Sequence, residues 1–253
     1  MPVRTLLGAL EKDARDGQPL AVIRILSPAG GSTTTTVFRL GDPLPQIRDE
    51  QVTARIASAV GDLARKGAEV NLIEIADADG NQLELVVELI RSKLHVVIFG
   101  GGHVGQAVAL MSAIVGYRVT VVDDREEFAS RKRLTDPAIE LLVSDYDTAS
   151  RKIELDSNSA VVIVTRGHQY DEVCLRSVIR SEARYVGMIG SRRRVLAVLD
   201  RLNREGFSRE ELSRLHAPIG LKIGGRSPQE IAVSIVAEII NHMNSSESDS
   251  RGR

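Results

Sequence analysis

The residues with the most specific chemistry lie between positions 100 and 105. Gly100-Gly101-Gly102-His103-Val104-Gly105 satisfies the pattern G-x-G-x-x-G. In that pattern Gly100 permits a tight turn, Gly102 lets backbone N–H groups approach a phosphate, and Gly105 lets a helix pack closely on a strand. Alone the pattern is weak. It gains weight from Asp123, which follows at about the 20-residue spacing of a carboxylate that meets a ribose hydroxyl. Arg125, two residues on, could take a 2′-phosphate or another anion, or be a solvated loop residue.

Two more clusters bear chemistry. Thr165-Arg166-Gly167-His168-Gln169-Tyr170-Asp171 is a polar loop after an apolar run. Thr165 and His168 are its binding candidates, and His168 with Asp171 could transfer a proton. The blander reading for Asp171, and the preferred one, is that it caps the helix that follows. In Gly190-Ser191-Arg192, Ser191 can cap a helix whose N-terminus, with Arg192 beside it, attracts an anion. Three consecutive arginines, 192 to 194, cannot all face one way on a helix. Cys174, the single cysteine, sits in a helical run with Leu175, Val178 and Ile179 and reads as core packing. A lone cysteine excludes an internal disulfide or a cysteine-cluster zinc site.

The elements that must position these residues are short apolar runs. HVVIFG, RVTVVD, ELLVSD, AVVIVT and RYVGMIG show little alternation, as parallel strands covered on both faces do. Helical stretches separate them, the first with Val104, Ala107, Val108, Met111 and Val115 on one face. Strands alternating with helices predict an α/β doubly wound parallel sheet with right-handed crossovers. Upstream, LAVIRIL and TTVFRL precede a helix over 49–67 and the strand candidates NLIEIA and LELVVELI. These predict a smaller α+β domain over residues 1–92, followed by a Rossmann-like domain over 93–243. Ser227-Pro228-Gln229-Glu230 opens the last helix with a capping box, and Ser208 to Glu211 repeats it. The glycines of Pro218 to Gly225 suggest a close-packed loop leading to that helix. The polar run from 244 to 253 predicts a disordered tail.

Composition narrows the function class. The 253 residues are 43% hydrophobic and 26% charged with a net charge of -1, which argues against a general nucleic-acid or membrane binder. Tryptophan is absent and aromatics are scarce, which argues against base-stacking platforms. The first residues acquire charge too early for a secretory signal, and no run approaches the ~18 apolar residues of a membrane span. The expectation is a cytoplasmic protein.

Taken together, VVIFGGGHVG, VTVVDDRE, the TRGHxxD loop, YVGMIGSRRR and PIGLKIGGRSPQEIAVSIVAEI resemble the XdhC/CoxI family, the xanthine dehydrogenase accessory factors. The resemblance covers residues 92 to 242, and its last two segments are the specific ones. It implies a Rossmann domain and a role in maturing molybdenum hydroxylases. Such a factor binds molybdenum cofactor (molybdopterin), assists its sulfuration and hands it to the apoenzyme, as a chaperone more than a catalyst. Its partners would be that apoenzyme and a cysteine desulfurase. The cofactor site would then comprise Gly100 to Gly105, Asp123, Arg125, Thr165, His168, Gly190, Ser191 and Arg192. Two features depart from the pattern. Residues 1 to 90 lack the cysteine that such proteins commonly carry there, and Arg166 stands where a common THxH form has histidine. Two alternatives follow from the glycine turn: an NAD(P)-dependent oxidoreductase and an NAD-sensing regulatory module. The apolar face of the last helix suggests a homodimer.

Overall fold

A computed structural model of the chain describes residues 20–26, 34–39, 42–66, 70–90, 93–166 and 168–249. It divides into two compact units, Met1–Ser92 and Lys93–Arg253.

The first unit contains β1 (Leu20–Leu26), β2 (Thr34–Arg39), α1 (Glu50–Lys66), β3 (Val70–Ala76) and β4 (Gln82–Ile90). The strands form an antiparallel sheet in the order β2-β1-β4-β3. Leu83, Leu85, Val87 and Leu89 alternate inward along β4. Val52, Ile56, Val60 and Leu63, spaced for one helical face, bring α1 into the same core. Asp49 caps that helix, accepting from Val52 N–H at 2.8 Å. The segment between β1 and β2 lies outside the described residues.

The second unit starts with β5 (His95–Phe99), α2 (His103–Ile114), β6 (Arg118–Asp123), β7 (Ile139–Val143) and α3 (Tyr146–Lys152). It continues with β8 (Ser159–Ile163), α4 (His168–Val178), β9 (Tyr185–Met188), α5 (Arg192–Arg204), α6 (Arg209–Ser213), β10 (Leu215–His216) and α7 (Pro228–Asp249). All six strands are parallel, in the order β10-β9-β8-β5-β6-β7. The chain begins mid-sheet, winds outward to β7, returns to β8 beside β5, and winds the other way. This is the doubly wound sheet expected from the sequence.

Every residue of β5 and β8 is buried, which explains their lack of alternation. Val96 and Ile98 join the core with α2 and α7, and Val97 and Phe99 face the core with α3, α4 and α5. Full burial of one such aliphatic side chain contributes about 1.5–3 kcal/mol.

Several expectations need correction. The run ELLVSD leaves the sheet at Val143, because Asp145 turns to cap α3 and accepts from Thr148 N–H at 2.8 Å. Val115 is 42% exposed, since α2 ends at Ile114 and Val115 is only its C-cap. The tail expected from 244 is helical as far as Asp249, and residues 250–253 lie outside the described residues. Polar composition limits what a segment can bury, not whether its backbone continues a helix. Among the described residues, no helix is long and apolar enough to cross a membrane.

His95, at the start of β5, gives the second unit an acid-sensitive point. Its Nε2 lies 2.8 Å from Thr120 Oγ1, and Thr120 donates in turn to Glu140 at 2.9 Å. Burial, assisted by the nearby Arg118, pulls the imidazole down from 6.5 to about 4. The unfolded chain therefore takes up this proton first. The associated stability is complete above pH 6.5 and is lost as pH falls toward 4, by roughly 3 kcal/mol in all. His95→Gln should flatten the dependence of the urea midpoint on pH across that window. An unchanged slope would place the acid sensitivity elsewhere.

Candidate functional site

The carboxyl ends of the parallel strands lie along one edge of the sheet. The winding reverses between β5 and β8, and ligands of such sheets bind in the crevice at that point. The glycine turn leaves β5 there. Gly100 has φ +112°, and a Cβ on it would lie 2.5 Å from the Val164 carbonyl oxygen. A Cβ on Gly105 would lie 1.8 Å from the Gly100 carbonyl oxygen. Both positions require glycine for the fold itself.

Gly102 does not. Its backbone is extended, with φ -68° and ψ -174°, and a Cβ there would meet nothing within 4 Å. It is the N-cap of α2, which has no side-chain cap hydrogen bond and no acidic residue in its first turn. The N–H groups of His103 and Val104 thus open a helix N-terminus whose end is uncapped by any side chain, an arrangement suited to an anion. The side chain of His103 is exposed, and Val104 packs partly against the core.

Asp123 shapes the turn from beneath. It is fully buried; its Oδ2 accepts from Gly101 N–H at 2.8 Å, and its Oδ1 accepts from Arg125 N–H at 3.1 Å and Arg125 Nε at 2.9 Å. Burial opposes its charge, but the hydrogen bonds from Arg125 and Gly101 outweigh that and hold the carboxyl below its usual range. Both oxygens are engaged within the chain, so the ribose contact expected of Asp123 has no free acceptor. Arg125 is equally committed. Besides Asp123, it lies 3.6 Å from Asp124 and stacks over Phe128, 3.5 Å from the ring centroid. The carboxylate left at the rim is Asp124, which accepts from Arg166 Nη2 at 3.0 Å.

On the other side of the reversal, Thr165 is buried at the end of β8 and donates to Asp171 at 2.5 Å. Asp171 also pairs with the Arg194 guanidinium. It does not cap α4, because that helix already opens at His168 and places Asp171 within its first turn. Ser191 caps α5, accepting from Arg194 N–H at 3.4 Å, and Arg192 is exposed. Gly190 and Ser191 follow β9, two strands from the glycine turn, or about 10 Å away. The structure therefore brings the sequence-selected positions to one edge in two groups, and the side chain of His168 lies outside the described residues. Sequence reasoning missed the roles of Arg194 and Arg166. The arginine run was the available signal for the first. The loop from Pro218 to Gly225 reaches the same edge, with Ile219 N–H on Met188 O at 3.0 Å and Gly220 N–H donating to Glu238.

The sequence pattern of the XdhC Rossmann domain matches residues 96–239, more than half of the chain. This chain belongs to the XdhC family. Among its relatives, the uncharacterized protein YqeB of Escherichia coli is 30% identical over 185 residues, 73% of this chain and 33% of YqeB. A probable xanthine dehydrogenase subunit of Bacillus subtilis is 28% identical over 62% of this chain and 45% of its own length. The XdhC chain described here thus spans less than half the length of either relative. The molybdenum cofactor insertion chaperone PaoD of E. coli is 23% identical, with 95% of this chain and 69% of PaoD covered. The crystal structure of a xanthine dehydrogenase from Bacillus halodurans shares the fold, with a TM-score of 0.58, 17% identity and 95% coverage of both chains.

In this XdhC chain the cysteine lies behind the site. Cys174 is fully buried on α4, and burial, reinforced by the negative Asp171, pushes its thiol well above the ordinary value. A thiol without thiolate character is inert. Native protein should leave Ellman's reagent unreacted, and one thiol per chain should appear in guanidinium chloride. Rapid native reaction would contradict the buried placement.

Proposed function

We propose that this protein is a maturation factor that binds molybdenum cofactor at the glycine turn and delivers it to the apoenzyme of a xanthine dehydrogenase-type molybdenum hydroxylase. The carrying observation is the uncapped N-terminus of α2 behind Gly102, whose missing side chain keeps the approach clear. The names of two relatives, a molybdenum cofactor insertion chaperone and a probable xanthine dehydrogenase subunit, support the choice of ligand. The residues fit the group. The phosphate of molybdopterin is a compact anion, and the N–H groups of His103 and Val104 would donate to it. Ser191 and Arg192 at the start of α5 would orient the part of the ligand that reaches past β8. When bound, the cofactor supplies the molybdenum centre of the client enzyme, and this chain holds and shields it.

Assistance to sulfuration belongs to the same proposal, but the buried Cys174 is no carrier of sulfur. The sulfur would come from a partner such as a cysteine desulfurase. The setting is cytoplasmic. Leu110, Ile114 and Val233, exposed on α2 and α7, would form a homodimer contact. Sedimentation of wild type against Ile114→Glu tests it, and equal masses would refute it.

NAD(P) binding is the competing reading, favoured by the doubly wound order and weakened by the engaged Asp123. One anaerobic calorimetric titration with molybdopterin, NAD and NADP decides between them. Molybdopterin should bind most tightly. Binding of NAD or NADP without molybdopterin would transfer the site to the nucleotide.

A further inference from the structure

Asp124 follows β6 and Arg166 follows β8, and β5 lies between those strands. An ion pair joining them must pass over the carboxyl end of β5, where the glycine turn lies. Two strand spacings are about 10 Å, within reach of an arginine and an aspartate extended toward one another. The pair is made, Arg166 Nη2 to Asp124 Oδ2 at 3.0 Å, with the side chains 49% and 21% exposed. The guanidinium also sits 5.6 Å from the centroid of the Tyr170 ring, in the first turn of α4. The second oxygen of Asp124, Oδ1, is buried and makes no hydrogen bond; Arg125 Nε is 3.6 Å from it. Asp124 is thus held by one good hydrogen bond, from an arginine that is half exposed and lies beside the Tyr170 ring.

We propose that Arg166 and Asp124 form a latch across the crevice, and that Arg166 exchanges Asp124 for an acidic group of the ligand. An exposed ion pair is weak, whereas a guanidinium grips a phosphate through two parallel hydrogen bonds. Charge also favours the exchange. Asp123 is neutralised by Arg125 and Asp124 by Arg166, so an arriving anion meets the N-terminus of α2 but no free side-chain cation at the turn until Asp124 is released. Arg166 is then the specificity residue of the site, selecting ligands with an acidic group above the turn. This inference rests on the reading that the glycine turn holds a phosphorylated ligand, but not on which one.

The test measures affinity of the full chain for molybdopterin, NADP and inorganic pyrophosphate, in wild type, Arg166→Gln, Asp124→Asn and the double variant. Asp124→Asn is isosteric and Arg166→Gln shortens an exposed side chain, and matching thermal midpoints confirm folding. Arg166→Gln should weaken binding about tenfold, and Asp124→Asn should tighten it about fivefold by freeing the guanidinium. In the double variant the tightening should vanish, because nothing remains to be freed. Weaker binding by Asp124→Asn would make Asp124 a ligand contact and overturn the latch. Tightening that persists without Arg166 would reduce it to a general charge effect, also overturning it. Unaltered affinity in Arg166→Gln would do the same. If molybdopterin fails to bind while NADP or pyrophosphate shows the full pattern, the latch stands and the molybdenum reading falls. If molybdopterin binds equally to all four proteins, that reading stands and the latch falls. No binding of any probe to wild type would defeat both.

Discussion

Gly102→Val should fold normally and lose its ligand, with affinity falling about 100-fold or more. The folding half follows from backbone and space. With φ -68° and ψ -174° the position suits any residue, and the new Cβ meets nothing within 4 Å. Valine is a poorer N-cap than glycine, but it also restricts the unfolded chain, so stability should change by about 1 kcal/mol or less. The binding half follows from the same open space. A branched side chain would occupy the approach to the first N–H groups of α2. Two charge-assisted hydrogen bonds lost at ~1.5–3 kcal/mol each exceed a hundredfold in affinity. Gly105→Val is the contrast. Its Cβ would collide with the Gly100 carbonyl oxygen at 1.8 Å, so that variant should lose stability first and binding only as a consequence. Calorimetric titration beside a thermal melt separates the two. Equal melting losses would mean that Gly102, too, is there for the fold.

The second large effect is on stability. Arg194→Met should cost about 3 kcal/mol or more, because Asp171 is fully buried and loses the guanidinium paired with it. Urea unfolding would read this as a lowered midpoint at constant slope. Arg192→Met, two residues away on the exposed side of α5, should stay within about 0.5 kcal/mol. Adding Asp171→Asn to Arg194→Met should restore part of the loss, since the buried charge is then removed as well. A cost confined to under 1 kcal/mol would mean that Asp171 is held adequately by Thr165 and its remaining surroundings.

Much of this architecture is legible in the residues. The apolar runs of β5, β6, β8 and β9 mark buried parallel strands, and the glycine spacing places the turn at the end of the first of them. The capping boxes at Ser208 and Ser227 form as written. What is not legible depends on contacts distant in the chain or on backbone reversal. Asp123 stands at the expected spacing, but its commitment depends on Arg125 folding back over it and on Gly101 N–H pointing down. Asp171 meets an arginine 23 residues later, and no local pattern announces that pair. Strand β10 has two residues, Leu215 and His216, too few for any periodicity to register. Helix α3 was hidden by the apolar run before it, although Asp145 is an ordinary capping residue.

The deep placement of Cys174 has a practical consequence. A chain whose own thiol stays silent in the native state is ready for single-site labelling without first removing that thiol. A cysteine introduced at Lys222, exposed at the ligand edge of the sheet, would carry the only reactive sulfur. With no tryptophan in the sequence, a fluorophore there would be read against only the weak ultraviolet emission of four tyrosines. The arrival and departure of cargo could then be timed in solution while the client enzyme is present.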